Sequence, residues 1–136
     1  MATVLYTHEI LTLATSLAAW PWDAALPLQA SARSKSCGST LQMGLELDRD
    51  GRILRVGIRP QACAIGQAAA AVFAAAAPGR DAATIAATDD AIARWLAGEG
   101  EMPDWPGLAA IAPARAYPAR HGAIRLAWQA AREALG

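Results

Sequence analysis

Two sulfurs are the atoms of this chain best suited to chemistry. Cys37 lies in the polar stretch Ser34, Lys35, Ser36, Cys37, Gly38, Ser39, Thr40, directly ahead of a segment of alternating apolar residues. Gly38 lets backbone amides approach the sulfur there, and the Lys35 cation favours thiolate. Cys63 stands just ahead of an alanine-rich helical segment, whose unpaired N–H groups also stabilise a negative sulfur. The two do not form a C-x-x-C pair, so a pair of structural thiols is one reading and a metal or sulfur site is the other. Arg120 and His121 are further candidates. A guanidinium holds an anionic sulfur group or a partner carboxylate, and an imidazole ligates metal; the plainer alternatives are a surface ion pair and a solvated or capping histidine.

The elements that must position these groups are legible in the hydrophobic pattern. Residues Thr3 to Ala19 carry Leu5, Ile10, Leu11, Leu13, Ala14 and Leu17 near helical spacing, closed by Pro21. A loop of small polar residues, Ser31 to Ser39, leads to a strand in which Leu41, Met43, Leu45 and Leu47 alternate with Gln42, Gly44, Glu46 and Asp48. Asp48 to Gly51 reads as a hairpin turn, and Leu54, Val56 and Ile58 line one face of the returning strand. After Cys63 the spacing becomes helical from about Gly66 to Ala77, stopped by Pro78 and Gly79. Thr88 is the expected N-cap of a further helix, with Asp89 and Asp90 in its first turn. A short helix is expected around Trp105 to Ile111. The last helix begins near Pro118, with Ile124, Ala127, Trp128, Ala131 and Leu135 on one face. The pattern predicts one α+β domain over residues 1–136, with helices packed on one face of a small antiparallel sheet.

Bulk composition narrows the function. Twelve basic and twelve acidic residues leave no net field to hold a polyanion, so nucleic-acid binding is disfavoured. The run Ala68 to Ala77 is about half the ~20 residues a spanning helix needs, so no membrane segment is expected. No Lys or Arg precedes Arg33, so the positive region of a secretory leader is missing, and two cysteines without a disulfide framework suit the cytoplasm. Catalytic residues are not expected: there is no Ser-His-Asp order, no phosphate loop and no obvious carboxylate pair. The five tryptophans read as core residues, with Trp20 and Trp22 as a candidate exposed patch beside the cysteine loop.

From Tyr6 to Leu135 the chain resembles the IscU, SufU and NifU N-terminal family of iron-sulfur cluster assembly scaffolds. The family's Cys-Gly-Asp turn before the hairpin is matched by Cys37, Gly38 and Ser39, and its Gly-Cys-Ala-Ile-Ser motif by Ala62, Cys63, Ala64, Ile65 and Gly66. Its SufU-like ending, Pro-x-Arg-x-x-Cys-x-x-Leu-Ala-Trp, is matched by Pro118, Arg120, Ala123, Leu126, Ala127 and Trp128. Ser39 therefore stands in place of the family's aspartate and Ala123 in place of its third cysteine. Other departures are the stretch "WPWDAALPL" after the first helix, Gln67 and alanines after the second cysteine, and the absence of a chaperone-recognition Leu-Pro-Pro-Val-Lys segment around Leu108 to Pro113.

The resemblance implies a non-enzymatic scaffold or sulfur acceptor. It implies an iron-sulfur cluster or Zn as cofactor, on Cys37 and Cys63 with His121 as a further ligand, and a cysteine desulfurase or another assembly protein as partner. A closed Zn site takes four ligands, and a cluster usually takes four thiolates. Two chains sharing a cluster through Cys37 and Cys63 would supply that number, so a homodimer is the corresponding expectation. The alternative is a metal-free member of the family acting as a binding or regulatory module.

Overall fold

A computed structural model describes residues 7–35 and 37–136. The first turn expected at Thr3 to Tyr6, and Ser36 of the cysteine stretch, lie outside the described residues. Thr7 caps helix α1, His8–Ser16, by accepting from the Ile10 N–H at 3.1 Å, and a 3-10 turn, Leu17–Ala19, carries the chain to Pro21.

Three strands follow, β1 (Leu28–Arg33), β2 (Thr40–Leu47) and β3 (Ile53–Gln61), in an antiparallel sheet of order β1-β2-β3. Leu41, Met43 and Leu45 of β2 are fully buried, as their alternation demanded. Gly51, with φ +76°, closes the β2–β3 turn. Two expectations need correction. Residues 28–33 form a strand where a loop was read from Ser31 onward, because pairing with β2 and packing of the last helix stabilise a segment with little apolar content of its own. A bulge also resets the inward face of β3: Leu47 pairs with Ile53 while Glu46 pairs with Arg55, so Leu54 is the extra residue. Ile53 is consequently buried and Leu54 is 54% exposed.

Helix α2, Ala64–Ala76, follows Cys63 and is buried along most of its length, so alanines let its neighbours approach closely. It packs against α1 and the final helix. Helix α3 runs Ala82–Leu96, and its cap lies seven residues ahead of the expected Thr88. Asp81 is the actual cap, accepting from the Thr84 N–H at 2.9 Å, and Thr88 lies inside the helix, donating to the Thr84 carbonyl. Between Leu108 and Ala116 the chain is 3-10 helix, and a 3-10 turn at Pro118–Arg120 leads into α4, His121–Leu135.

Helix α4 packs on β1, β2, α2 and α3. Asp89 of α3 locks it there: this 3% exposed carboxylate accepts from Arg125 and Arg132 of α4, and Arg132 also reaches Asp90. Trp95, Trp105 and Trp128 are buried as expected. Phe73, Trp105 and Trp128 form one aromatic cluster, and the Trp105 indole donates to the Val72 carbonyl.

The other face of the sheet is crossed by the "WPWDAALPL" segment. The Ile58 N–H donates to the Trp20 carbonyl, and Leu26, 3% exposed, sits over two glycines of the sheet. A Cβ on Gly57 would stand 2.8 Å from Leu26 Cδ1 and 2.9 Å from the Pro21 carbonyl oxygen, and one on Gly44 would stand 3.0 Å from the same methyl. Close passage of the backbone at Pro21 thus requires glycine at 57, and glycine at 44 leaves room for the Leu26 side chain. Trp22 lies partly buried with the Arg59 guanidinium stacked over its ring at 5.2 Å.

Candidate functional site

Strand register carries both cysteines to one end of the sheet. Arg33 at the end of β1 pairs with Thr40 at the start of β2, and Thr40 pairs with Gln61 at the end of β3. Cys37 lies in the β1–β2 connection, three residues before that row, and Cys63 follows two residues after it.

The Cys37 turn is built around the sulfur. The Ser34 N–H donates to the Ser39 carbonyl at 2.8 Å and the Gly38 N–H to the Ser34 carbonyl at 2.9 Å, with Gly38 at φ +71°, a conformation that favours glycine. This closure places Ser34 Oγ at 3.3 Å and Ser39 Oγ at 3.2 Å from the Cys37 sulfur. Both serines are buried while Cys37 is only half-buried, so two hydroxyls back the sulfur of a residue that still reaches the surface. Hydroxyls donate readily to an ionised sulfur. The Ser34 and Ser39 hydroxyls accordingly hold the Cys37 thiol below its ordinary range against the opposing effect of burial, assisted by the Ser39 backbone and the Arg120 charge. Sequence reasoning passed over Ser34. Its signal was the Ser-x-x-Cys-Gly-Ser spacing, because a turn closed at a positive-φ glycine folds both serines onto the sulfur.

Cys63 is the N-cap residue of α2, half-buried against the edge of the core. Its carbonyl accepts from the Gln67 N–H, and the Gln67 side chain donates to the Ala62 carbonyl at 2.9 Å, which ties down the cysteine's flank.

Ala123 is fully buried in the first turn of α4 and faces the first turn of α2. A Cβ built on Gly66 would stand 3.5 Å from the Ala123 Cβ and 2.9 Å from the Ala62 Cβ. Gly66, at the end of the second cysteine motif, and Ala123, in the place of the family's third cysteine, therefore meet beside the Cys63 turn. His121 Nε2 lies 2.7 Å from the Arg115 carbonyl oxygen, which only accepts, so Nε2 carries the proton and Nδ1 is the nitrogen left for other work.

The donor set is that of a thiol site. Among the described residues no three His, Cys, Asp or Glu side chains gather to hold a metal ion. Ser39 turns its hydroxyl onto Cys37, and Ala123 has no donor atom. One chain's residues thus do not fit a closed metal site of four ligands. No helix among the described residues is long and apolar enough to cross a membrane.

No family model and no curated protein matches the chain by sequence. Among solved structures, it is similar to the N-terminal part of a nitrogen-fixing NifU-like protein from Brucella abortus, with 31% identity over 96% of this chain and 91% of that one and a TM-score of 0.85. It is also similar to a putative iron-sulfur cluster assembly scaffold protein for the SUF system from Fervidobacterium Islandicum AW-1, at 19% identity, full coverage of both chains (100% each) and a TM-score of 0.84. At that lower identity the likeness concerns the fold.

Proposed function

The chain belongs to the IscU, SufU and NifU N-terminal family, and from that premise we propose that it is a non-enzymatic, scaffold-like component of iron-sulfur cluster assembly that accepts sulfur on Cys37. The observation that carries this reading is the Cys37 turn, where a half-buried sulfur is backed by the buried hydroxyls of Ser34 and Ser39. The ligand position of the family has become part of that thiol's support.

The chemistry is exchange at sulfur. The Cys37 thiolate attacks the outer sulfur of a donor persulfide; a new S–S bond forms at Cys37, the donor's S–S bond breaks, and the donor leaves as thiolate. No electron is gained or lost overall, and no metal is required. A cysteine desulfurase is the partner class that suits this step, and the cytoplasm is the compartment in which both thiols stay reduced.

The test is to treat the reduced protein with glutathione persulfide and measure intact mass with cysteine mapping. The expected result is a gain of one sulfur atom on Cys37, abolished by Cys37→Ser and retained by Cys63→Ser. Sulfur found on Cys63 alone, or on neither, refutes the reading.

A second reading, an iron-sulfur cluster held between two chains, draws on the register that brings Cys37 and Cys63 to one end of the sheet. It requires iron-dependent dimerisation, and a reconstituted protein that stays monomeric and colourless excludes it. A metal-free binding module, the remaining alternative, is favoured by the contact between Gly66 and Ala123 and requires that Cys37→Ser leave function intact.

A further inference from the structure

Charge is unevenly placed in this chain of zero net charge. Three segments, 33–40, 59–67 and 117–123, carry Arg33, Lys35, Arg59 and Arg120 and not one Asp or Glu. The fold brings the three together: the first two by the Arg33–Thr40–Gln61 row, the third by the seating of Ala123 against Gly66. Every ion pair among the described residues lies elsewhere, on Asp23, Glu46 and Arg55 or on Asp89, Asp90, Arg125 and Arg132. The cations around the cysteines are therefore not neutralised by carboxylates of the described chain.

Arg59 is also held ready. Its guanidinium stacks over Trp22 and donates to Gln42 Oε1 at 3.3 Å, on a polar cleft of about 360 Å³ lined by Ser31, Thr40, Gln42, Arg59 and Gln61. A planar guanidinium fixed beside hydroxyls and amides matches a carboxylate and its neighbouring backbone. Arg33 and Lys35 are exposed beside the Cys37 turn, where they add long-range attraction.

We propose that this acid-free cysteine end is a docking surface for an acidic patch on a protein that exchanges sulfur with the chain, with Arg59 in its cleft engaging a carboxylate and Arg33, Lys35 and Arg120 steering the approach to Cys37. The assignment rests on the sulfur-acceptor reading for the nature of the partner. An acidic protein suits the surface better than nucleic acid does: four cations are few for a polyphosphate, and the ring of Trp22 is already covered by Arg59.

The probe is a short polyglutamate peptide, titrated into isotopically labelled protein and followed by amide shifts, with polylysine and an RNA oligonucleotide as comparisons. Polyglutamate is expected to move amides of 33–40, 59–67 and 117–123, and to bind about tenfold more weakly once salt screens exposed charges. Arg59→Glu and the double variant Arg33→Glu, Lys35→Glu should each weaken it at least about fivefold in protein that remains folded, Arg59→Glu giving up only exposed contacts with Trp22 and Gln42. Absence of binding, shifts centred on Arg49 and Arg52, indifference to the charge reversals, equal binding of polylysine or tighter binding of RNA would each overturn the proposal. The Cys37→Ser protein should bind the peptide like the wild type. Failure of sulfur loading with peptide binding intact therefore removes only the sulfur reading, and sulfur loading without peptide binding removes only the docking surface.

Discussion

Restoring the two absent ligands, Ser39→Asp with Ala123→Cys, tests the placement of the site with a worked magnitude. Ala123 is fully buried, so its new sulfur must enter a packed layer. Overpacking of this kind costs ~1–3 kcal/mol. At ~2.1 cal/mol/K of unfolding entropy per residue, 136 residues give ~0.29 kcal/mol/K, so the metal-free double variant should melt ~3–10 °C lower than the wild type. A Cβ on Gly66 would already stand 2.9 Å from the Ala62 Cβ, so the glycine opens no methyl-sized space beside Ala123 and the full range applies. If the new thiol and carboxylate join Cys37 and Cys63, Zn at about 100 times its Kd returns ~2.7 kcal/mol, or ~9 °C. Thermal melts with and without Zn, beside a competition with a chromogenic chelator, read both quantities. A double variant that is folded yet shows no Zn-dependent rise in Tm refutes the proposition that the four positions share one site.

Further outcomes follow from the same contacts. Alkylation of Cys37 should persist to lower pH than that of an ordinary thiol, and Ser34→Ala or Ser39→Ala should move the rate–pH profile upward; profiles unmoved by both contradict the role given to the hydroxyls. Because the folded value lies below the unfolded one, the associated stability is full above ~8.5 and is lost as pH falls through the folded value, an effect Cys37→Ser should erase from the pH dependence of Tm. Asp89→Ala should cost on the order of 2 kcal/mol, less than for a fully buried pair because Arg125 and Arg132 reach solvent, and denaturant melts report it. Gly57→Val should displace the segment over the sheet, where a Cβ already meets Leu26 at 2.8 Å, and raise the solvent exposure of Trp22 in quenching experiments.

The parts of this molecule that declare themselves in sequence are those with a strong local period. Leu41, Met43 and Leu45 announce β2, and the alanine run before Pro78 announces α2. Strand β1 has no such signature, since Gln29, Ser31 and Arg33 alternate with alanines that reach only half burial and its strand character comes from partners distant in sequence. Thr88 is a sound cap by residue type, yet Asp81 caps the helix earlier, and the packing of Asp89 against two arginines of α4 holds the intervening turns. Leu54 and Ile53 exchange places through a single bulge that no alternation pattern reveals. At the site, Cys37 and Cys63 were identifiable by type and setting, and Ser39 and Ala123 only through the resemblance to the family's motifs, whereas the Ser34 contact and the meeting of Gly66 with Ala123 depend on how the turn closes and how α2 and α4 cross.

The most direct test of the central claim is sulfur loading from a low-molecular-weight persulfide in the presence of a strong chelator, followed by intact mass. Loading of one sulfur on Cys37 at an unchanged rate is the expected result, because the two serine hydroxyls and the Arg120 charge support the thiolate without a metal. Loading that stops in chelator and returns on addition of Zn or iron would contradict the account and assign the chemistry to a metal held by Cys37 and Cys63.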